Sequence, residues 1–263
     1  MEQGQILIVG LGEVGSALAT VIERRLPVLR HDLERREFSA PIDVMHICIP
    51  FQSRVQFESM VIEYIERFRP QLTVINSTVQ PGTTRSISHR TRVPVAYSPV
   101  RGKHIRMAEE LLNYVKYVAA EDQAVAARAA AHFRDVGMKP RMMSRPETLE
   151  LSKLAETSYF GVLIAFAQEL NRYAHRTGAD YEEATEFFDE VEFLPRTRYF
   201  PGFIGGHCVI PNIHLLLQTE DSTLLKAVLD SNALRAQEIE TDKHDDAKQG
   251  TKLAHNRDLL ANR

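Results

Sequence analysis

Short apolar runs alternate with stretches of helical periodicity through the first half of the chain. The apolar runs predict strands at residues 6–9, 27–31, 44–49, 72–75, 93–97 and 117–119. These runs lack polar alternation, which is typical of strands that helices cover on both faces. Helical periodicity occupies the intervening residues 15–23, 55–68 and 123–136. Strands that alternate with helices predict an α/β fold with a doubly wound parallel sheet in residues 1–145.

The alternation stops near residue 146, and a long helix is predicted at 147–177. Further helices are predicted at 180–189 and 224–240, on either side of a Pro- and Gly-bearing stretch at 195–212. The long helix carries more apolar surface than a completed sheet can cover, so it needs another partner. We therefore predict an all-helical domain at 146–240, a homodimer formed through the long helix, and a polar tail at 241–263.

Composition narrows the classes of partner. The 263 residues carry a formal net charge of −3, which provides no overall basic field for a nucleic acid or a membrane surface. The most apolar run, 161–167, is far shorter than a membrane-spanning helix requires. Two cysteines cannot build a disulfide framework. The expected protein is cytoplasmic, without nucleic acid, membrane or metal, and acts on a small molecule.

A glycine-rich turn follows the first predicted strand and opens a helix. Gly10 permits the tight turn, Gly12 lets the backbone approach a pyrophosphate, and Gly15 lets the helix pack closely on the strand. The amides of this turn, including those of Glu13 and Val14, are then directed at the anion. This GxGxxG motif between a strand and a helix predicts a Rossmann-type dinucleotide site.

The acidic residue after the second strand selects the dinucleotide. Asp32 lies 17 residues after Gly15, where a carboxylate accepts hydrogen bonds from the ribose hydroxyls, and this favours NAD. Arg30 and Arg35 flank the acid and suit a 2′-phosphate, so NADP stays the alternative.

Four later segments carry a family resemblance. They are Ile47-Cys48-Ile49-Pro50, the loop 76–84 (NSTVQPGTT), the helix segment 150–155 (ELSKLA) and the loop 201–208 (PGFIGGHC). In this order, across residues 5 to 235, the chain resembles the UDP-glucose/GDP-mannose dehydrogenase family. The resemblance implies NAD-dependent oxidation of a hydroxyl on a sugar nucleotide, and it adds Pro50, Ser77 and Thr78 to the cofactor site. That family has a third, C-terminal nucleotide-sugar domain, so the chain is expected to be a short form.

A cysteine and a lysine are the candidate reactive groups. Cys208 follows Gly205 and Gly206, and a cysteine held by a glycine loop can present a thiolate to an aldehyde. The resemblance implies that Cys208 is the nucleophile, that Lys153 binds the developing oxyanion or a catalytic water, and that Thr78 lies beside the reacting centre. A buried structural cysteine and a lysine in an ion pair on its own helix are the structural alternatives.

Three positions depart from the family pattern. Val100 replaces a glutamate, Asn212 replaces an aspartate and Thr157 replaces an asparagine of the catalytic set. A general base must change its protonation state, which valine, asparagine and threonine side chains do not do. Whether the chain hydrolyses a thioester is therefore left open by the sequence.

A short basic cluster offers a weak substrate site. Arg101, Lys103 and His104 follow the strand at 93–97 and suit an anionic substrate, together with Gly205 and Gly206. A solvated loop is the structural alternative.

Two other functions stay open from the sequence. The first is a two-electron dehydrogenase of the β-hydroxyacid type, which would use Lys153 and not Cys208. The second is a catalytically weakened NAD-binding sensor or partner subunit.

Overall fold

The computed structural model describes residues 5–32, 41–101, 106–188, 192, 199–206 and 208–241. The predicted contacts of Arg35, Lys103, His104 and most of the tail lie outside these residues. The chain divides between Leu154 and Ala155 into two compact units. No described helix is both long enough and apolar enough to span a bilayer.

Seven strands form the sheet of the first unit. Their bounds are β1 Gln5–Val9, β2 Val28–His31, β3 Ile42–Ile47, β4 Leu72–Ile75, β5 Val95–Tyr97, β6 Val115–Ala120 and β7 Lys139–Met142. They lie in the order β2-β1-β3-β4-β5-β6-β7. The first five strands are mutually parallel, which confirms the predicted α/β class and places their carboxyl ends at one edge.

One strand runs against the others. β6 is antiparallel to β5, with Tyr97 opposite Ala119, so the sheet is mostly parallel rather than wholly so. β7 then pairs in parallel with β6. The apolar pattern did not predict β7, because its Lys-Pro-Arg-Met sequence is polar and contains Pro140. Proline is tolerated there because β7 is an edge strand.

The described residues contain helices on both sides of the sheet and beyond it. Their bounds are α1 Glu13–Ile22, α2 Arg54–Phe68, α3 Thr83–Thr91, α4 Met107–Asn113, α5 Gln123–Asp135, α6 Pro146–Thr177, α7 Tyr181–Glu186, α8 Val209–Thr219 and α9 Thr223–Thr241. The long predicted helix is α6. Part of the stretch interpreted as a connection, 195–212, is instead the first turn of α8, and the short helices α3 and α4 were not predicted.

Two apolar clusters sandwich the sheet. One contains Ile6, Ile8 and the buried faces of α1 and α5, and the other contains Leu7, Val9 and the buried face of α2. Successive residues of β1 therefore point into opposite clusters, as a strand covered on both faces requires. The second unit has its own cluster, which α6, α8 and α9 build around Ile213 and Val228.

Candidate functional site

The first turn after β1 is built so closely that two of its glycines cannot be replaced. Gly10 has φ +89°, and a Cβ there would lie 2.8 Å from the carbonyl carbon and oxygen of Cys48. A Cβ on Gly15 would lie 1.8 Å from the carbonyl oxygen of Gly10. The helix therefore packs directly against the turn, which is the role predicted for these two positions.

Gly12 has a different environment. A Cβ built on Gly12 would meet no protein atom within 4 Å, and its φ of −67° is open to any residue. The protein's own packing therefore does not require a glycine there, whereas a ligand that approaches the backbone does. Gly12 is the N-cap of α1 and provides no side-chain cap. The neighbouring Glu13 is exposed, and Val14 packs partly on the apolar cluster.

The acidic residue predicted for the ribose lies at the same edge. Asp32 is exposed and directly follows β2. Arg30, which suited a 2′-phosphate, forms a bidentate ion pair with Glu23 at 2.7 and 3.0 Å. The arginine is thereby held by the carboxylate of Glu23, the C-cap of α1.

The ends of β3 and β4 form the next part of this edge. The hydroxyl of Ser77 donates its hydrogen bond to the carbonyl oxygen of Ile49 at 2.6 Å, so this proton is used within the protein. Pro50 is exposed and Thr78 is half-buried. Burial raises the pKa of the Cys48 thiol to about 12, and this keeps Cys48 protonated and unreactive at neutral pH.

The loop after β4 contains a type II turn. Pro81 and Gly82 are its central residues, Gly82 has φ +90°, and the amide of Thr83 donates to the carbonyl oxygen of Gln80 at 3.2 Å. The turn leads into α3. The guanidinium of Arg54 donates to the carbonyl oxygen of Gly82 at 2.9 Å. The sequence Pro-Gly thus fixes how the chain enters this helix.

A carboxylate from α6 closes the amino end of α3. Fully buried Glu150 accepts from the amide of Gly82 at 2.6 Å, and from the amide and hydroxyl of Thr84 at 2.9 and 2.6 Å. Burial raises the pKa of Glu150, and the hydrogen bonds from Thr84 and Gly82 oppose this effect. Lys153 is half-buried one turn later. Glu150 therefore holds the helical turn that carries Lys153 against the loop that carries Thr78.

The segment after β5 does not supply the acid of the family pattern. Val100 is 6% exposed and packs within the apolar cluster of α1 and α5. The guanidinium of Arg101 lies 5.8 Å from the ring centroid of Tyr117 and 6.0 Å from that of Tyr114. A cation held between aromatic rings has a restricted position from which to meet an anion.

The second unit positions the candidate nucleophile at a helix start. Cys208 is exposed and is the N-cap of α8. Asn212, one turn later, is buried, and its backbone amide donates to the carbonyl oxygen of Cys208 at 3.1 Å. A Cβ on Gly161 would lie 2.8 Å from Val209, so α8 starts in close contact with α6. Thr157 is half-buried on α6, one turn before this contact.

Two buried amide side chains hold the loop that leads to Cys208. Asn232 of α9 accepts from the amide of Ile204 at 2.7 Å and donates to its carbonyl oxygen at 3.1 Å. Gln168 of α6 donates to the carbonyl oxygen of Gly202 at 2.6 Å. Sequence reasoning missed both residues, because their partners lie 28 and 34 positions away.

Sequence reasoning also missed a buried lysine in the first unit. Lys116 of β6 donates to the carbonyl oxygens of Ser98 at 2.7 Å and Pro99 at 3.0 Å, and to the side chain of Asn76 at 3.3 Å. Burial lowers the pKa of Lys116 to about 7, and the nearby positive charge of Lys153 acts in the same direction. Among the described residues, no three His, Cys, Asp or Glu side chains form a metal cluster.

Residues 147–234 match the sequence model of the UDP-glucose/GDP-mannose dehydrogenase family, central domain. The UDP-N-acetyl-D-mannosamine dehydrogenase of Pyrococcus horikoshii is 28% identical over 207 residues, which are 70% of this chain and 48% of that protein. The enzyme of that name from Escherichia coli K12 is 24% identical over 147 residues, covering 56% and 33%. The chain thus spans about half the length, or less, of these relatives, and the predicted family resemblance is confirmed.

Solved structures agree on the fold. A UDP-D-ManNAc dehydrogenase from P. horikoshii superposes with a TM-score of 0.79 at 20% identity, covering 94% of this chain and 72% of that one. A 3-hydroxyisobutyrate dehydrogenase from Mycobacterium tuberculosis gives a TM-score of 0.69 at 14% identity, covering 89% and 93%. Both the predicted family and the predicted runner-up class therefore share this architecture.

Proposed function

We propose that this chain, whose residues 147–234 match the model of the UDP-glucose/GDP-mannose dehydrogenase family, central domain, is an NAD-dependent oxidoreductase that oxidises a hydroxyl of a nucleotide sugar. The observation that carries the proposal is Gly12, a glycine that the protein's packing does not require, at the start of a helix at the carboxyl end of a parallel strand. Backbone amides at such a place bind a pyrophosphate.

The residues at this edge suit NAD. Gly10 and Gly15 set the turn, the amides around Gly12 receive the pyrophosphate, and exposed Asp32 accepts from the ribose hydroxyls. Bound NAD would accept a hydride from the substrate carbon. Thr78 lies at the same edge, three residues after the last residue of β4 and two residues after Asn76.

Lys153 and Cys208 are proposed to handle the substrate oxygen and carbon. As a hydride leaves the carbinol carbon for bound NAD, the hydroxyl proton passes to water, and the ammonium of Lys153 stabilises the developing oxyanion. The Cys208 sulfur then bonds to the aldehyde carbon and the thiol proton passes to the oxygen. Loss of a second hydride to a second NAD, together with loss of the hydroxyl proton to water, would convert this thiohemiacetal to a thioester. Water would then add to the thioester carbon and release the acid and the Cys208 thiol.

A second candidate is a two-electron dehydrogenase that stops at the carbonyl product. Val100 favours it, because this apolar side chain in the core replaces the carboxylate that the family pattern places after β5. Buried Asn212 also cannot take a proton from water. In this case Lys153 carries the reaction and Cys208 is dispensable. A chain that binds NAD without turnover would be the predicted sensor or partner subunit.

The first experiment measures NAD affinity by calorimetry in the wild type, in Gly12→Ala and in the matched control Thr20→Ala. Thr20 is exposed on the same helix, away from the turn. Gly12→Ala should weaken NAD binding at least 10-fold with an unchanged Tm, because its Cβ meets NAD and no protein atom. The control should bind as the wild type does. Equal affinity in all three proteins would overturn the cofactor site.

The second experiment counts NADH formed per substrate consumed, with UDP- and GDP-sugars. Two NADH per substrate support the Cys208 route, and one supports the two-electron alternative. Cys208→Ser should abolish acid formation with NAD affinity intact, and Lys153→Ala should lower turnover by orders of magnitude. Acid formation that persists in Cys208→Ser contradicts the covalent route.

A homodimer through α6 is proposed on the basis of an exposed aromatic stripe. Tyr159, Phe166 and Tyr173 are spaced by seven residues, so they share one helix face, and each is more than half exposed. Phe166→Glu should convert a dimer to a monomer in sedimentation, whereas Val55→Glu, which changes an exposed apolar residue of α2, should not. A wild-type monomer would overturn this assembly.

A further inference from the structure

A chain of buried polar side chains crosses the sheet at the edge where the cofactor site lies. Lys116 of β6 contacts Asn76, Asn76 contacts His46 of β3 at 3.1 Å, and His46 contacts His132 of α5 at 2.9 Å. All four residues are less than 9% exposed. The proposed reaction uses none of them, and buried polar networks of this kind are costly unless each member is satisfied.

The hydrogen bonds have one consistent direction. The ammonium of Lys116 donates to Asn76 Oδ1, so Asn76 Nδ2 donates to His46 Nδ1 and to the carbonyl oxygen of Val74. His46 then carries its proton on Nε2, which donates to His132 Nε2. Burial lowers the pKa of His46 well below its usual value and that of His132 to about 4, so both rings are neutral at pH 7.

The antiparallel direction of β6 explains why a lysine reaches this edge. Tyr97 lies opposite Ala119, and the same register places Lys116 level with Val100, beyond the carboxyl end of β5. In a parallel β6, the first residues of the strand would lie at the other edge of the sheet. The amino-terminal residues of β6 instead meet the carboxyl ends of β4 and β5.

Three acceptors satisfy the three donors of the ammonium group. Two of them, the carbonyl oxygens of Ser98 and Pro99, belong to the two residues that directly follow β5. The third belongs to Asn76, two residues before Thr78. One side chain thus ties the loop that carries Thr78 to the segment that leads into Arg101.

We propose that Lys116 is a positioning residue, which holds the carboxyl ends of β4 and β5 in the arrangement that hydride transfer requires. This inference rests on the proposed dehydrogenase function. Lys116 is 3% exposed, so it touches neither substrate nor cofactor and acts through Asn76, Ser98 and Pro99. The turn around Gly12, which is proposed to receive the pyrophosphate, is held by the close packing of Gly10 and Gly15, so most of the affinity for NAD should survive a change at Lys116.

The charge of Lys116 makes this positioning sensitive to pH. The titratable groups that face it are Cys48 and His46 on the β3 side, His132 on α5 and Lys153 on α6. With a pKa of about 7, the ammonium loses one donor as the pH rises through neutrality, and one of the three acceptors loses its partner. Turnover is therefore expected to fall through a step near pH 7.

The test compares the wild type, Lys116→Met, Lys116→Gln and the control Lys139→Met, which changes an exposed lysine of β7. Met removes every donor and Gln keeps a neutral donor. The readouts are NAD affinity, kcat and KM from pH 5.5 to 9, and hydrogen exchange of the segments 74–79 and 97–101. A Tm measurement identifies variants that do not fold. If Lys116→Met does not fold, Lys116→Gln, which retains a donor, is used in its place.

Lys116→Met should lower kcat at least 10-fold and keep NAD affinity within about 3-fold. Hydrogen exchange should accelerate at least 10-fold in the two segments but not in residues 5–15. Lys116→Gln should recover part of kcat and lose the step near pH 7. The proposal would be overturned if kcat and its pH profile are unchanged in both variants, or if the fall in kcat near pH 7 persists in Lys116→Gln.

Failure of the function itself gives a separate pattern. If the wild type forms no NADH with any nucleotide sugar, the proposed dehydrogenase fails, and hydrogen exchange alone then decides the role of Lys116. Faster exchange confined to 74–79 and 97–101 supports positioning, and unchanged exchange overturns it.

Discussion

Two helix starts at the same edge of the sheet differ in what closes them. α1 begins after Gly12 and α3 begins after Gly82, and neither glycine offers a side-chain cap. At α3, buried Glu150 accepts from the amides of Gly82 and Thr84. At α1, the N-cap is exposed and a Cβ would meet no protein atom within 4 Å. One start is filled by the protein's own carboxylate, and the other is open to an external anion.

The difference separates a structural use of helix amides from a binding use. Amides at a helix start need an acceptor and favour negative charge, and both an internal carboxylate and a pyrophosphate satisfy them. Elsewhere in the described chain, Ser53, Asp122 and Asp180 cap α2, α5 and α7 in the ordinary way. A glycine start at which a Cβ would meet no protein atom is therefore informative at α1, whereas the glycine start of α3 is closed by Glu150 and is not informative.

Removal of the internal carboxylate should have the largest effect on this comparison. Glu150→Ala leaves the buried amides of Gly82 and Thr84 without their acceptor, and it should lower the free energy of unfolding by about 4 kcal/mol. Urea unfolding measures this loss. Thr148→Ala, an exposed change on the same helix, is the control and should stay within about 0.5 kcal/mol. If Glu150→Ala lowers the free energy of unfolding by no more than the control does, α3 does not depend on this closure.

Filling the open start should have the next largest effect. Gly12→Asp places a capping carboxylate at the N-cap of α1, which has no side-chain cap, so the protein should keep or gain a few tenths of a kcal/mol in stability. NAD affinity should fall about 100-fold, or about 2.7 kcal/mol, since the new charge occupies and repels the pyrophosphate site. Calorimetry with NAD measures the loss, with Gly12→Ala as the neutral comparison. A loss of stability with normal NAD affinity would reverse the assignment.

The sequence predicts the parts of the fold that local patterns encode. The strands near residues 6–9 and 72–75 are apolar because both faces of the sheet are covered, and the glycine turn requires specific residues at specific spacings. β7 escaped prediction because an edge strand can be polar. The direction of β6 escaped because apolar periodicity is the same in parallel and antiparallel strands.

The site residues divide in the same way. Gly10 and Gly15 were assigned from the sequence because their roles depend on near neighbours. The sequence identifies Glu150 only as the first residue of the helix segment 150–155, since its partners Gly82 and Thr84 lie 68 and 66 residues away. A pattern along the chain does not report which distant backbone groups need an acceptor, and only the tertiary structure supplies that.

The pH dependence of the internal closure should be a smaller effect. Burial raises the pKa of Glu150 above its usual value of 4.5, so the folded state binds a proton more readily than the unfolded state does. Stability should therefore fall as the pH rises from 4.5 through the raised pKa. The difference in free energy of unfolding between wild type and Glu150→Gln, measured from pH 4 to 8, should show this slope. A difference that rises over this range would give the opposite sign to the pKa change.

The smallest effect should come from the other side of the Gly82 peptide. Arg54 donates to the Gly82 carbonyl oxygen and pairs with Glu58, but its side chain is 43% exposed, so water replaces much of what is lost. Arg54→Ala should cost about 0.5–1 kcal/mol in urea unfolding and leave NAD affinity unchanged. Glu66→Ala, an exposed change near the far end of the same helix, is the control. If Arg54→Ala costs as much as Glu150→Ala, the closure of α3 depends on the whole Gly82 peptide and not on the amides alone. The contrast with the open start of α1 would then lie in how the turn is held, and no longer in which group accepts from the helix.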